Sequence, residues 1–417
     1  IGLSKSFDCR WSYSTECLLK EESSNKRGVA GLFYLHNIKS RIKNIPNSGE
    51  FVKWLSSYNG YKPDVFFLEQ TKELGDIKKY ENLFVNKVTR ERFFNKITFK
   101  EELVVKECID PDFDSLIENE VNWYTYMSQN GYSHCPSMYS STPLTIDKII
   151  GSHPDELNSD SSILRQCVDA LTSLHSIDSR PCVLDDIKSV YISKTLERVS
   201  KVDALLPISH KYLMINGKSY ENPFHEDLID EFVDSAVDVI SKTNVDFVPI
   251  HGDPTFSNML FDSGKGKVFL IDPRGKFGNT SIFGDPYYDF AKLLYSVEGS
   301  YDSFNKKNFD LTIYSDEEYY LAIPCSTFES FSDIVYDSVQ SRSRLLLIHS
   351  LIWFSLCGYV KDHIESIIGS FLKGVLVYAD YKHSILELSP LPKTWLLDVD
   401  GTIVEHNGHL TKGLINE

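Results

Sequence analysis

In the stretch HGDPTFSNMLFDSGKGKVFLIDPRG, residues 251–275, an aspartate is followed five residues later by an asparagine, and an apolar run then carries another aspartate to its tip. Carboxylate and amide oxygens are hard donors, the kind magnesium prefers when phosphate oxygens and waters complete its shell. Phosphoryl transfer from a nucleotide asks little covalent chemistry of a protein. It needs metal on the phosphates, a carboxylate to orient the attacking hydroxyl and a cation on the α- and β-phosphates. Each has a candidate: Asp253 as the base, Asn258 and Asp272 as the magnesium ligands and, upstream in ELVVKEC, Lys106 as the cation.

The interval from Asp253 to Asn258 is that of the protein-kinase catalytic loop H-R-D-x-x-x-x-N. Lys106 ends a β-branched run, and Glu120 lies on the helical pattern that follows, as in the ion pair that holds a kinase lysine against the phosphates. Glu118 is a rival partner, although helical spacing turns it away from the face of Glu120. Other residues read more plainly. His251 packs and hydrogen-bonds to hold the loop, and Asp262, Ser263, Gly264 and Gly266 form a hairpin turn. The GKGK run lacks the Ser or Thr of a P-loop. Arg274 either contacts substrate or phosphate, or pairs with an acidic neighbour. Asp285 reads as a helix-start or structural residue.

These residues need elements to place them. Hydrophobic periodicity predicts strand, helix, strand over 28–37, 50–58 and 64–70, with a further helix over 77–84. Two β-rich runs from residue 93 and a helix ending at Gly131 follow, then PLTIDKIIG as an extended connector. Residues 159–243 read as mostly helical, with Ile163, Leu164, Cys167, Val168 and Leu171 on one face. The catalytic stretch itself reads as strand, loop and hairpin. Helices resume beyond Tyr288, interrupted by an irregular stretch near 303–325. The apolar run 345–360 contains His349, Ser350 and Ser355 and is shorter than the roughly 20 residues of a bilayer span; it reads as a buried helix.

With those motifs in place, the chain resembles the aminoglycoside phosphotransferase and choline kinase family of small-molecule kinases over about residues 84–385. HGDPTFSN is similar to that family's catalytic loop, FLIDPRG to its metal aspartate, LTSLHSID (171–178) to the helix before the substrate region and GDPYYDFAKL (284–293) to the segment after the site. The resemblance implies that Asp289 braces the catalytic loop through backbone hydrogen bonds, and that ATP and Mg2+ are the cofactors. The expected nucleotide-covering loop, VNKVTRERFFNK, contains no glycine, and Lys87, Arg90 or Arg92 would have to substitute with side chains. WLLDVDGTIVEHNG resembles the first motif of haloacid-dehalogenase-like phosphatases, with Asp398 and Asp400 as its two aspartates, but the later motifs are missing. The first eighty or so residues faintly resemble the closing part of a sugar-phosphate nucleotidyltransferase.

The expected architecture is α+β: a two-lobed protein-kinase-like fold with a small β-rich lobe over 84–142 and a larger, mainly helical lobe over 143–388. A partial α/β segment lies at each end, a nucleotidyltransferase-like remnant over 1–83 and a linker with a truncated phosphatase-like start over 389–417. The 417 residues, 42% hydrophobic and 13% aromatic, suffice for packed cores. A net charge of −16 argues against a nucleic-acid partner. Eight cysteines without a CxxC pair read as reduced and cytoplasmic. Because the first methionine is Met127, the chain reads as part of a longer polypeptide whose further domains are its partners.

The function expected is ATP- and Mg-dependent phosphorylation of a hydroxyl on a small molecule (an aminoalcohol, sugar or polyol), within a multifunctional enzyme making precursors for bacterial surface polysaccharide. Acidic residues Asp169, Asp185, Asp186, Glu226 and Asp227 could greet a cationic amine, but surface solvation explains them as well. The competing reading is a kinase-like scaffold or nucleotide-binding module between two enzymatic domains, which the glycine-less loop favours.

Overall fold

The structure, a computed structural model, describes residues 95–388 except 243–244 and 361–362, and before them the short segments 2–4, 11–14, 19–21, 27–30, 33, 51–56 and 65–68. The chain divides into two compact units, Ile1–Arg92 and Phe93–Glu417. The first holds a sheet in which Gly2–Ser4 pairs antiparallel with Gly28–Val29 and parallel with Phe66–Leu68. With the helix Phe51–Ser56, the sheet buries Leu3, Tyr13, Val29 and Leu55. The helix expected over 77–84, the basic residues Lys87, Arg90 and Arg92, and the whole segment 389–417 with Asp398 and Asp400 lie outside the described residues.

The second unit opens with an antiparallel sheet in the order Asn95–Phe99, Leu103–Cys108, Leu144–Asp147, Met138–Ser141. The helix Asp114–Gln129 is inserted between its second strand and the last pair. PLTIDKIIG is therefore not a plain connector. Its first half is the strand Leu144–Asp147, which pairs Leu144 with Lys106, so the sheet continues past residue 142. Pairing of strands nearly forty residues apart in sequence leaves no local signature, which is why the short run read as a link.

The larger part packs the helices Ser161–His175, Ile229–Ser241, Pro286–Val297, Arg342–Cys357 and Ile364–Leu388 around one apolar core. Asp160 caps the first of these, accepting from Ser162 N at 2.8 Å. Arg342–Cys357 is buried on almost every side, as a helix without a polar face must be. The stretches read as helical and irregular also contribute a four-stranded sheet. Its hairpin Tyr212–Ile215 and Lys218–Glu221 joins Glu318–Ala322 and Asp310–Ile313. The turn of that hairpin is Asn216–Gly217, with φ of 53° and 75°, an Asn-Gly hairpin signal that was available in the sequence. Among the described residues no helix is long and apolar enough to cross a membrane.

One ion pair is wholly internal. Arg344 and Asp285 meet at 2.7 Å with each side chain 1% exposed. Asp285 also accepts from Tyr191 Oη at 2.9 Å and caps the helix Pro286–Val297 through Tyr287 N at 3.0 Å. Breaking such a pair leaves a buried charge unmatched, so Asp285→Ala is expected to lower unfolding free energy by about 3–5 kcal/mol. The urea midpoint reports this, and adding Arg344→Met to the same chain should recover part of the loss.

Candidate functional site

The strand Leu103–Cys108 and the helix Asp114–Gln129 bring Lys106 and Glu120 together, with Nζ 2.5 Å from Oε2. Glu120 is buried whereas Glu118 is exposed, so burial selects between the two rivals. Lys106 Nζ is also 2.5 Å from Oδ1 of Asp272, at the far end of the hairpin. Burial pulls the ammonium toward neutrality, but the two carboxylates outweigh it and hold the Lys106 pKa above its ordinary value. One cation is thus clamped between an acid of the small lobe and an acid of the large one.

Asp272 occupies left-handed backbone, φ 54°, which costs a non-glycine residue about 1–3 kcal/mol. Main-chain bonds at the preceding residue hold it there. Ile271 N donates to Asn258 O at 2.9 Å, and Ile271 O accepts from His251 Nε2 at 2.9 Å. Arg274 N donates to His251 O at 2.9 Å. The hairpin end and the catalytic loop are stitched together through these bonds, so Asp272 cannot move independently of Asp253 and Asn258. Beyond Asp272, Gly275 lies against the helix that carries Glu120. Its φ is +57°, and a Cβ there would stand 2.3 Å from Asn119 O, so only glycine permits this approach.

The loop is anchored from the other side by Asp289, which has no exposed surface. Its Oδ2 accepts from His251 N and its Oδ1 from Gly252 N, both at 2.8 Å, and His175 Nε2 lies 3.1 Å from Oδ2. Trp123 Nε1 donates to Ile250 O at 2.8 Å, tying in the helix of Glu120. His251 is buried, its Nε2 donating to Ile271 O while Nδ1 accepts from Asp253 N at 3.3 Å. Both ring nitrogens are occupied by the fold, leaving neither for proton transfer. Asn258 Nδ2 donates to Asp253 O at 2.8 Å, which turns Oδ1 away from that contact as an unbonded acceptor among the described residues. An amide oxygen and a carboxylate on facing loops fit a hard cation that also takes phosphate oxygens.

Asp253 has cationic neighbours that sequence reasoning missed or left open. Lys292 Nζ is 3.0 Å from Oδ1, and Arg274 Nε is 3.7 Å from Oδ2. Arg274 therefore pairs with an acid, and that acid is the presumed base itself. Lys292 had a signal: it is the one cation in the mainly apolar run FAKLLYSV, on the helix that presents Asp289. The lysines of GKGK belong to the turn, with Lys265 3.4 Å from Asp262 and Lys267 bonded to Ser133 at 2.8 Å. Asp185 and Asp186 start a short helix, where Asp186 accepts from Asn279 N at 2.8 Å, and Asp227 pairs with Lys211 at 3.1 Å. Asp186 and Asp227 are thereby committed to partners of their own.

Burial lowers the His251 pKa against the opposing pull of Asp289 and Asp253. Because the unfolded imidazole gains its proton first, this contribution to stability is intact above about pH 6.5 and is lost as pH falls below it. Nitrogen NMR of the His251 ring is expected to keep a neutral Nε2–H pattern from about pH 8 to about pH 6; titration near the ordinary imidazole value would contradict it. Gly275→Ala should cost more than about 1 kcal/mol in thermal unfolding, since the new Cβ meets backbone at a left-handed φ.

No curated protein matches the chain. Its structure is similar to a choline/ethanolamine kinase family protein from Mesorhizobium loti, 11% identical, with a TM-score of 0.44 over 71% of this chain and 90% of that one. It is also similar to choline kinase LicA from Streptococcus pneumoniae, 13% identical, with a TM-score of 0.40 over 73% and 99% of the two chains. Aminoglycoside phosphotransferase APH(3'')-Id from Streptomyces rimosus is 15% identical, with a TM-score of 0.38 over 67% and 98%. The model of the phosphotransferase enzyme family (APH) matches residues 87–310, more than half of the chain and the whole of the site from Lys106 to Lys292. The chain belongs to that phosphotransferase family and is a kinase of small molecules.

Proposed function

We propose that the protein transfers the γ-phosphate of ATP to a hydroxyl of a small molecule with Asp253 as the base. The observation that carries this reading is the clamp of Lys106 between Glu120 and Asp272, both at 2.5 Å, on a hairpin stitched to the loop of Asp253. Lys106 would hold the α- and β-phosphates, and Asn258 and Asp272 would hold Mg2+, which when bound neutralises charge on the phosphate oxygens. The acceptor oxygen bonds to the γ-phosphorus as the bond to the bridging oxygen of ADP breaks, and the hydroxyl proton passes to Asp253. Lys292 and Arg274 fix the orientation of the Asp253 carboxylate, and His251 and Asp289 hold the loop without touching substrate.

A multifunctional setting, in which this kinase lies between nucleotidyltransferase-like and phosphatase-like domains making surface-polysaccharide precursors in the cytoplasm, is supported by the DVDGT motif and by the parallel strand pair of the first unit. The scaffold reading draws on the glycine-less loop at 85–96 alone.

Asp253→Asn is expected to lower kcat by about 10²–10⁴. ATP with Mg2+ at about 100 times its dissociation constant should still stabilise the variant by about 2.7 kcal/mol. Turnover by Asp253→Asn at the wild-type rate would remove Asp253 as the base, and absence of any nucleotide-dependent shift in the wild type would favour the scaffold.

A further inference from the structure

Next to Asp253 the molecule gathers more positive charge than it matches. Lys292 and Arg274 approach the carboxylate at 3.0 and 3.7 Å, and Lys194 and Arg198 lie one turn apart on the helix Lys194–Ser200. Tyr191, just before Lys194, packs on Tyr288 with ring centroids 5.9 Å apart, and Tyr288 lies one turn before Lys292 on the helix Pro286–Val297, so the start of the Lys194 helix sits against the face that carries Lys292. The Tyr288 phenol pulls Lys194 up, yet burial together with Arg274, Arg198 and Lys292 leaves its ammonium below its ordinary value. Burial lowers Arg198, with Arg274 adding to it. Burial raises Tyr288, but Lys194, Lys292 and Arg274 outweigh it and the phenol ends below its usual value.

The acids around this group are spent elsewhere. Glu197 is exposed and paired with Lys201 at 2.6 Å, Asp285 is held by Arg344 and Tyr191, and Asp289 by the loop amides. Asp302 accepts from Ser257 N at 3.2 Å. Lys194 itself, half-buried, makes no hydrogen bond or ion pair among the described residues. A cation drawn out of water without a counter-ion is costly, and in a chain of net charge −16 such a concentration is not a general surface property.

The local backbone holds this arrangement in place. A π-helical turn, Ser189–Ser193, directly precedes Lys194, a distortion frequent at functional sites. Arg198 Nη1 donates to Ser355 Oγ at 3.0 Å, its guanidinium lies 5.2 Å from the Tyr359 ring, and a Cβ on Gly358 would stand 2.0 Å from Arg198 O. The helix is thus seated tightly on the end of Arg342–Cys357.

We propose that the phosphate acceptor is itself an anion: a small hydroxylated molecule whose phosphate or carboxylate group seats between Lys194 and Arg198, flanked by Arg274, while its hydroxyl faces Asp253. This rests on the kinase reading above. It sets the acceptor apart from the cationic amines that the acidic residues of the helical region had suggested. Guanidinium and ammonium donors around one oxyanion are a recurrent recognition set for phosphate and carboxylate groups.

The test compares matched acceptors with ATP and Mg2+: glycerol, glycerol 3-phosphate, glycerate, ethanolamine and choline, and glucose, glucose 6-phosphate, gluconate and glucosamine. Anionic members are expected to exceed their neutral and cationic counterparts at least tenfold in kcat/KM. Lys194→Met and Arg198→Gln should each raise the acceptor KM tenfold or more, and Lys194→Arg should restore most of it. Preference for a neutral or cationic acceptor would overturn the proposal.

Inorganic phosphate provides a second readout, titrated calorimetrically with and without a saturating non-hydrolysable ATP analogue and Mg2+. Binding that both substitutions weaken tenfold supports the site even if no acceptor in the panel turns over; absence of phosphate binding with the nucleotide site filled overturns it. Failure of the nucleotide to bind at all would sink the kinase reading instead, leaving the phosphate result to stand or fall alone.

Discussion

Asp289 is wholly buried, and its two oxygens are spent on the main-chain N–H groups of His251 and Gly252. A carboxylate removed from water must be satisfied by donors in place, and here those donors are the loop that carries Asp253. The helix that supplies Asp289 is itself started by Asp285, whose other oxygen is held by Arg344 deep in the core. From the core outward, one buried ion pair sets a helix, the helix sets a loop, and the loop sets the base. The same loop then fixes Ile271, whose N–H donates to Asn258 O and whose carbonyl accepts from the His251 ring, so the left-handed turn at Asp272 is held by the fold rather than by its own preference.

This chain of constraints joins parts that would otherwise drift. Lys106 reaches an acid on the helix of the small lobe and an acid on the hairpin of the large one. Trp123 and Gly275 hold that helix against the loop segments on either side of the site, one by a hydrogen bond to Ile250 O and the other by having no side chain. Strain at Asp272 is affordable because several neighbouring contacts determine the same geometry.

Charge is distributed unevenly on the molecule. The chain carries a net −16, yet its acids near the base are committed to helix caps, loop amides and surface lysines, while the cations beside Asp253 outnumber it. Such an arrangement concentrates positive charge beside the base of an acidic protein.

Much of the site could be read from spacing alone. Asp253, Asn258 and Asp272 are separated by a loop and a hairpin whose lengths are local properties, and Lys106 follows the β-branched pair Val104–Val105. Short-range periodicity and turn chemistry determine these things, so one sequence suffices for them. Local pattern set Glu118 and Glu120 on different faces of one helix and favoured Glu120, but it could not say which face packs toward Lys106. Nor could it place Lys292 and Arg274 on the base, or pair Leu144–Asp147 with Leu103–Cys108. Those relations join residues tens of positions or more apart in the chain. Sequence determined which chemical groups this protein carries and their local order; the tertiary fold decided which of them face one another, because burial and through-space charge are properties of the packed chain.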